Sequence, residues 1–128
     1  MGRGRPLERI LVTNQEAFDR VARHLLTQRA RSMDSAGMAC AYRGANGLKC
    51  AIGCLIPDAR YRPSFEERTV GEPEILAAAG LTASQERLAE ALQRVHDIWE
   101  PDAWSHRLTR LAGEFGLDPA IVQEHGQK

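Results

Sequence analysis

The sequence predicts an α+β fold: a mainly helical single domain with one short β-hairpin packed against four or five helices. Three observations predict it. Both flanks repeat apolar residues at helical spacing, the main runs open on a capping residue, and those of the second flank close at a glycine or proline. Between them, Cys40 to Asp58 (CAYRGANGLKCAIGCLIPD) has no solvent-facing charged stripe and contains an Asn-Gly pair. The chain, at 128 residues, 43% hydrophobic and 27% charged, is long enough to bury one core without disulfide staples.

The elements follow in order. Residues 1–12 are basic and rich in Gly, Arg and Pro at their start, and read as a flexible arm ahead of a globular domain over 13–128. Thr13 with Glu16 forms a capping box for the first helix, whose stripe is Phe18, Val21, Ala22, Leu25 and Leu26. The helix fades between Gln28 and Ser32. Asn46-Gly47 fits a type I′ turn, since both residues tolerate positive φ. The expected hairpin pairs about residues 39–44 with 47–52, setting Arg43 opposite Cys50 and Tyr42 opposite Ala51. Cys50 to Ile56 reads as either continued strand or a helical turn, because the run is too short for its periodicity to decide.

Residues 57–73 hold three prolines and form a long connection with a helical turn near Ser64 to Arg68. Glu74 to Ala79 is a short helix closed by Gly80. Thr82 and Gln85 make a second capping box, opening a helix with the stripe Leu88, Ala89, Leu92, Val95 and Trp99. Asp102 is the expected cap of the next, whose stripe is Trp104, Leu108, Leu111, Ala112 and Phe115, with Gly116 as its stop. Asp118-Pro119 then opens a final helix from Ala120 to His125.

Composition narrows the function classes. No apolar run approaches the length of a membrane span or of a secretory h-region, so the expectation is a cytoplasmic protein with no membrane partner. The three cysteines, an odd number in a reducing compartment, point to free thiols or a metal site, not a disulfide framework. Net charge is zero, yet residues 1–62 carry 11 Lys/Arg against 5 Asp/Glu (+6), while residues 63–128 carry 6 against 12 (−6). Such a split can steer a partner, or it can draw the two halves together within one fold. Helix-turn-helix cadence over Leu111 to Val122 is not matched by cations on the second helix, which argues against nucleic acid. Self-association stays open.

Chemistry-bearing residues cluster in the central stretch. Cys40, Cys50 and Cys54, joined by His96, form the candidate zinc set, although their spacing fits no common zinc module. The simpler reading makes the cysteines small core residues and leaves the chain without a cofactor. Gly44-x-x-Gly47-x-Lys49 lacks the spacing and the hydroxyl of a P-loop. Arg43 and Lys49 flank the turn and could meet an anion there, with Tyr42, Asn46 and His96 completing the candidate binding residues. His96 and Asp97 are neighbours on a helix, so they are not expected to bond each other, and His96 near the helix C-terminus suits a cation. No catalytic set assembles from these residues, so the reading leans away from an enzyme.

Cys40-Ala-Tyr-Arg-Gly44, Gly47-Leu-Lys-Cys-Ala-Ile-Gly-Cys-Leu-Ile-Pro-Asp58, the helix segment FDRVARHLLTQ (18–28) and Leu92-Gln-x-x-His96-Asp97 together resemble a signature of small uncharacterised bacteriophage and bacterial proteins. The similarity spans about residues 13–117. It implies a phage or prophage accessory context, in which small proteins bind host machinery, and it brings no catalytic residues with it. The leading expectation is therefore a non-enzymatic protein that binds a host defence or regulatory protein. The alternatives are a binder or enzyme for a small anionic, nucleotide-like ligand using the turn cations, and a zinc-stabilised module.

Overall fold

The computed structural model of the chain describes residues 11–126. The arm expected over 1–12 lies outside the described residues as far as residue 10. Val12, at its end, is fixed, because its N–H donates to Gly80 O (2.9 Å) and its carbonyl accepts from the Gln85 amide (2.8 Å).

Among the described residues, five α-helices form the framework: α1 (Asn14–Gln28), α2 (Pro73–Ala78), α3 (Glu86–Ile98), α4 (Trp104–Glu114) and α5 (Ala120–Gly126). α1 starts where the capping box places it, with Glu16 N–H bonded to Thr13 Oγ1 (3.1 Å) and Thr13 N–H to Glu16 Oε1 (2.9 Å). It stops at Arg29, which takes the left-handed conformation (φ 54) and returns its N–H to Leu25 O. Ala17, Phe18, Val21, Ala22 and Leu25 are fully buried on one face. That face meets α3, α4, α5 and the turn Gly53–Leu55, so α1 is the element the others are built on.

The later helices follow their apolar stripes. Leu88, Ala89, Leu92 and Val95 of α3 are buried, as are Trp104, Leu108, Leu111 and Ala112 of α4. α4 ends at Phe115, after which Gly116 (φ 67) lets Leu117 N–H reach back to Ala112 O (2.8 Å). Asp118 caps α5 through the Ala120 N–H (2.9 Å). Asp102 does not cap α4: Pro101 opens a 3₁₀ turn over Pro101–Ala103, which places Asp102 inside the turn, and Ala103 precedes α4 with no side-chain cap. Trp99 leaves the α3 stripe for an extended conformation, and its carbonyl accepts the indole N–H of buried Trp104 (2.9 Å).

Among the described residues the β-hairpin is absent, and their fold is helical without a sheet instead of α+β. Among the described residues, strand pairing is limited to two isolated bridges, Met33 with Cys40 and Arg43 with Lys49. The turn itself forms, with Asn46 (φ 62) and Gly47 (φ 75) both at positive φ and Leu48 N–H on Ala45 O (3.2 Å). Its register differs from expectation, because Arg43 faces Lys49 and not Cys50. Pairing stops there, and Gly53–Leu55 is a helical turn.

The physical reason is that side chains take the place of a partner strand. Glu66 accepts the N–H groups of Tyr42 (2.9 Å) and Arg43 (3.1 Å). Gln28 Oε1 accepts Lys49 N–H (3.0 Å), and Gln93 Oε1 accepts Ile52 N–H (3.0 Å). His24 and Gln28 both donate to Lys49 O at 2.9 Å. Buried backbone groups need partners, and here carboxylates, amides and an imidazole supply them. Gly53 serves this arrangement directly, since a Cβ there would lie 2.4 Å from Tyr42 O and 3.1 Å from Tyr42 Cα. Its close approach is to the Tyr42 backbone.

Candidate functional site

Buried Ser32 organises the centre of the stretch. Its hydroxyl lies 2.7 Å from Ala41 O and 3.2 Å from Leu48 O, and its N–H donates to His96 Nε2 (2.9 Å). A backbone N–H can only donate, so Nε2 must accept, and the single imidazole proton sits on Nδ1. That proton points at Asp97 Oδ1, 2.8 Å away. The neighbouring pair does bond, contrary to the helical-face expectation, because both side chains lean toward the same point beside Cys40. His96 is thereby the neutral Nδ1–H tautomer, fully buried and stacked on Trp104 with centroids 5.7 Å apart. It packs as a neutral ring and not as a dipole-facing cation.

Cys40, His96 and Asp97 bring their ligand-type atoms within 4.8 Å of one another. Cys40 and Asp97, but not the buried His96, line a cleft of about 570 Å³ that runs between the 40–42 segment, residues 66–70 and α3. Burial and the adjacent Asp97 charge push the Cys40 thiol up to about 11, so it is held protonated and is a poor nucleophile at neutral pH. Burial also works against the Asp97 carboxylate. Hydrogen bonds from His96, Cys40 and Gln93 outweigh that penalty and keep its pKa below the ordinary carboxylate value.

This trio is not the zinc set expected from the sequence. Cys50 and Cys54 are not part of the group. The Cys50 sulfur accepts from Gly53 N–H (3.2 Å), and the Cys54 thiol donates to Ala51 O (3.1 Å). Burial raises the pKa of both thiols, that of Cys54 to about 12. Metal binding at His96 Nδ1 would also move the ring proton to Nε2, where it would face the Ser32 N–H, donor against donor. Metal-binding imidazoles direct the second N–H at an acceptor, and this one has the opposite neighbour. The donor set therefore does not fit a zinc ion.

The expected binding residues are dispersed. Tyr42 is buried, its hydroxyl donates to Arg68 O (2.7 Å), and burial raises its pKa. Arg43 bonds to Asp58 (2.6 Å) and to Ile56 O (2.6 Å), with its guanidinium 4.7 Å from the Tyr61 ring centroid. The Arg43 hydrogen bond holds the Asp58 carboxyl below its usual range. Asn46 is exposed at the turn, and Lys49 opens onto a separate groove beside α1. Arg43, Lys49 and His96 thus share no cavity.

Ser32, Glu66 and Gln93 are the residues that position the site without having been singled out beforehand. Each looks like an ordinary polar surface residue in the sequence. Glu66 also accepts the Tyr61 hydroxyl, so one carboxylate gathers three donors from two segments.

Comparison of the chain with protein-family models, curated proteins and solved structures finds no match. No helix among the described residues is long and apolar enough to cross a membrane.

Proposed function

We propose that the chain is a non-enzymatic accessory protein of phage type that binds a host protein in the bacterial cytoplasm. The observation that supports this best is the commitment of the reactive groups of the central stretch, with His96, to internal structural partners. Cys40 is held as a thiol, both His96 nitrogens are occupied, and the Tyr42 hydroxyl is bound to a carbonyl. A general base must reach the proton it removes, and His96 has no free nitrogen to do so. The apolar side chains left in solvent suit docking instead. Ile98 lies on the cleft rim at 57% exposure, and Met38, two residues before Cys40, is 82% exposed. Methionine adapts readily to a partner surface.

The test is affinity capture from a bacterial lysate with the full chain and with the double substitution Met38→Glu, Ile98→Glu. A specific host protein retained by the parent and lost by the double variant, with melting temperature unchanged, is the expected result. Equal capture by both proteins would remove these two side chains from the account. Failure of the parent to retain any specific protein would count against the protein-binding reading itself.

A further inference from the structure

The groove beside α1 has a composition found at no other concavity described above. Arg20, Arg23 and Thr27 lie on one face of α1, at helical spacing, and Lys49 rises from the facing chain. The open groove offers about 690 Å³, within the range of small-molecule sites, and among the described residues no carboxylate lines it. Arg31, Arg43 and Arg68 are paired with Glu100, Asp58 and Glu72 respectively, whereas Arg20, Arg23 and Lys49 have no ion-pair partner among the described residues.

Lys49 is also held in place. His24 and Gln28 of α1 bind its carbonyl, and Gln28 binds its N–H, so three hydrogen bonds lock its backbone to the helix that carries the arginines. Preorganisation of this kind lowers the ordering cost of binding. Arg20 and Lys49 both pull down the pKa of the Cys54 thiol at the groove wall, against the burial that raises it, so their fields converge on one place.

We propose that this groove is a binding site for a phosphate monoester, with the dianion received by Arg20, Arg23 and Lys49 and the Thr27 hydroxyl as a further donor. Guanidinium forks match phosphate oxygens, and a lysine adds a point charge. A compact ligand fits better than a nucleic-acid strand. Toward the start of α1, Arg20 and Arg23 border a second concavity that also holds Glu16 and Asp19, whose carboxylates would repel a continuing phosphodiester chain. This site is independent of Met38 and Ile98 and does not require a protein partner.

The experiment is an amide NMR titration of the full chain with inorganic phosphate, 5′-AMP, a single-stranded DNA oligonucleotide and a poly-glutamate peptide. Saturable shifts with 5′-AMP, confined to residues 20–28 and 46–54, are expected, with inorganic phosphate moving the same amides more weakly. Lys49→Met keeps every backbone hydrogen bond of Lys49 and should weaken 5′-AMP binding about tenfold, as the loss of one charge-assisted contact does. Arg23→Gln, at an exposed position, gives the same reading should Lys49→Met melt early. Absence of saturation at millimolar 5′-AMP, or unchanged affinity in both variants, would overturn the site. Tighter binding of the oligonucleotide or the peptide would overturn the ligand class.

Discussion

The helical framework and the stretch from Ser32 to Asp58 are stabilised in different ways. In the framework, backbone hydrogen bonds close within each helix, and buried apolar stripes on α1, α3 and α4 do the assembling. In the stretch, backbone groups look to side chains, outward to Glu66, Gln28, His24 and Gln93 and, within it, to Ser32. The first design tolerates small changes, because a stripe of four to six residues shares the load. The second concentrates stability in single polar contacts and single close approaches, where one missing partner leaves a buried group unsatisfied.

This contrast makes ranked predictions. Gly53→Ala should show the largest effect, about 3 kcal/mol of lost stability in denaturant unfolding, since the new Cβ meets Tyr42 backbone that cannot swing aside. Glu66→Ala should cost about 2 kcal/mol, because two backbone N–H groups lose a charged acceptor. Thr13→Ala, which removes a cap within the framework, should cost only about 1 kcal/mol. A cap variant more damaging than either change in the stretch would reverse the comparison.

The smallest effect should be a pH dependence at the boundary between the two regions. Burial lowers the His24 pKa below 6.5 while its Nε2–H donates to Lys49 O. The folded state therefore favours the neutral ring. Its contribution is fully present above the unfolded value of 6.5 and is lost as pH falls from there through the lower folded pKa. Melting temperature should drop between about pH 7.5 and about pH 5.5 more in the parent than in His24→Gln. Identical pH profiles would show that this imidazole is not held neutral by the fold.

The same contrast explains what was legible in the sequence. Periodicity placed α1, α3 and α4, and capping boxes marked the approach to α1 and α3, because helix bonds are local and the apolar face repeats. The Asn-Gly turn was legible too, since positive φ is a local demand met by Asn46 and Gly47. The hairpin expectation failed because its outcome depended on residues 20 or more positions away in several cases, such as Gln28 for Lys49 and Gln93 for Ile52. A glutamine reads as surface whether or not it will bind a distant N–H. The His96–Asp97 bond was missed for a related reason: helical spacing gives the direction of Cβ but not where two polar tips meet beside a third element.

Amide hydrogen exchange at Tyr42 and Arg43 tests most directly the claim that side chains stand in for a β-partner. In the parent both amides should be protected, and in Glu66→Ala both should exchange rapidly while Lys49, Ile52 and the α1 amides stay protected. Unchanged protection of Tyr42 and Arg43 in that variant would contradict the account.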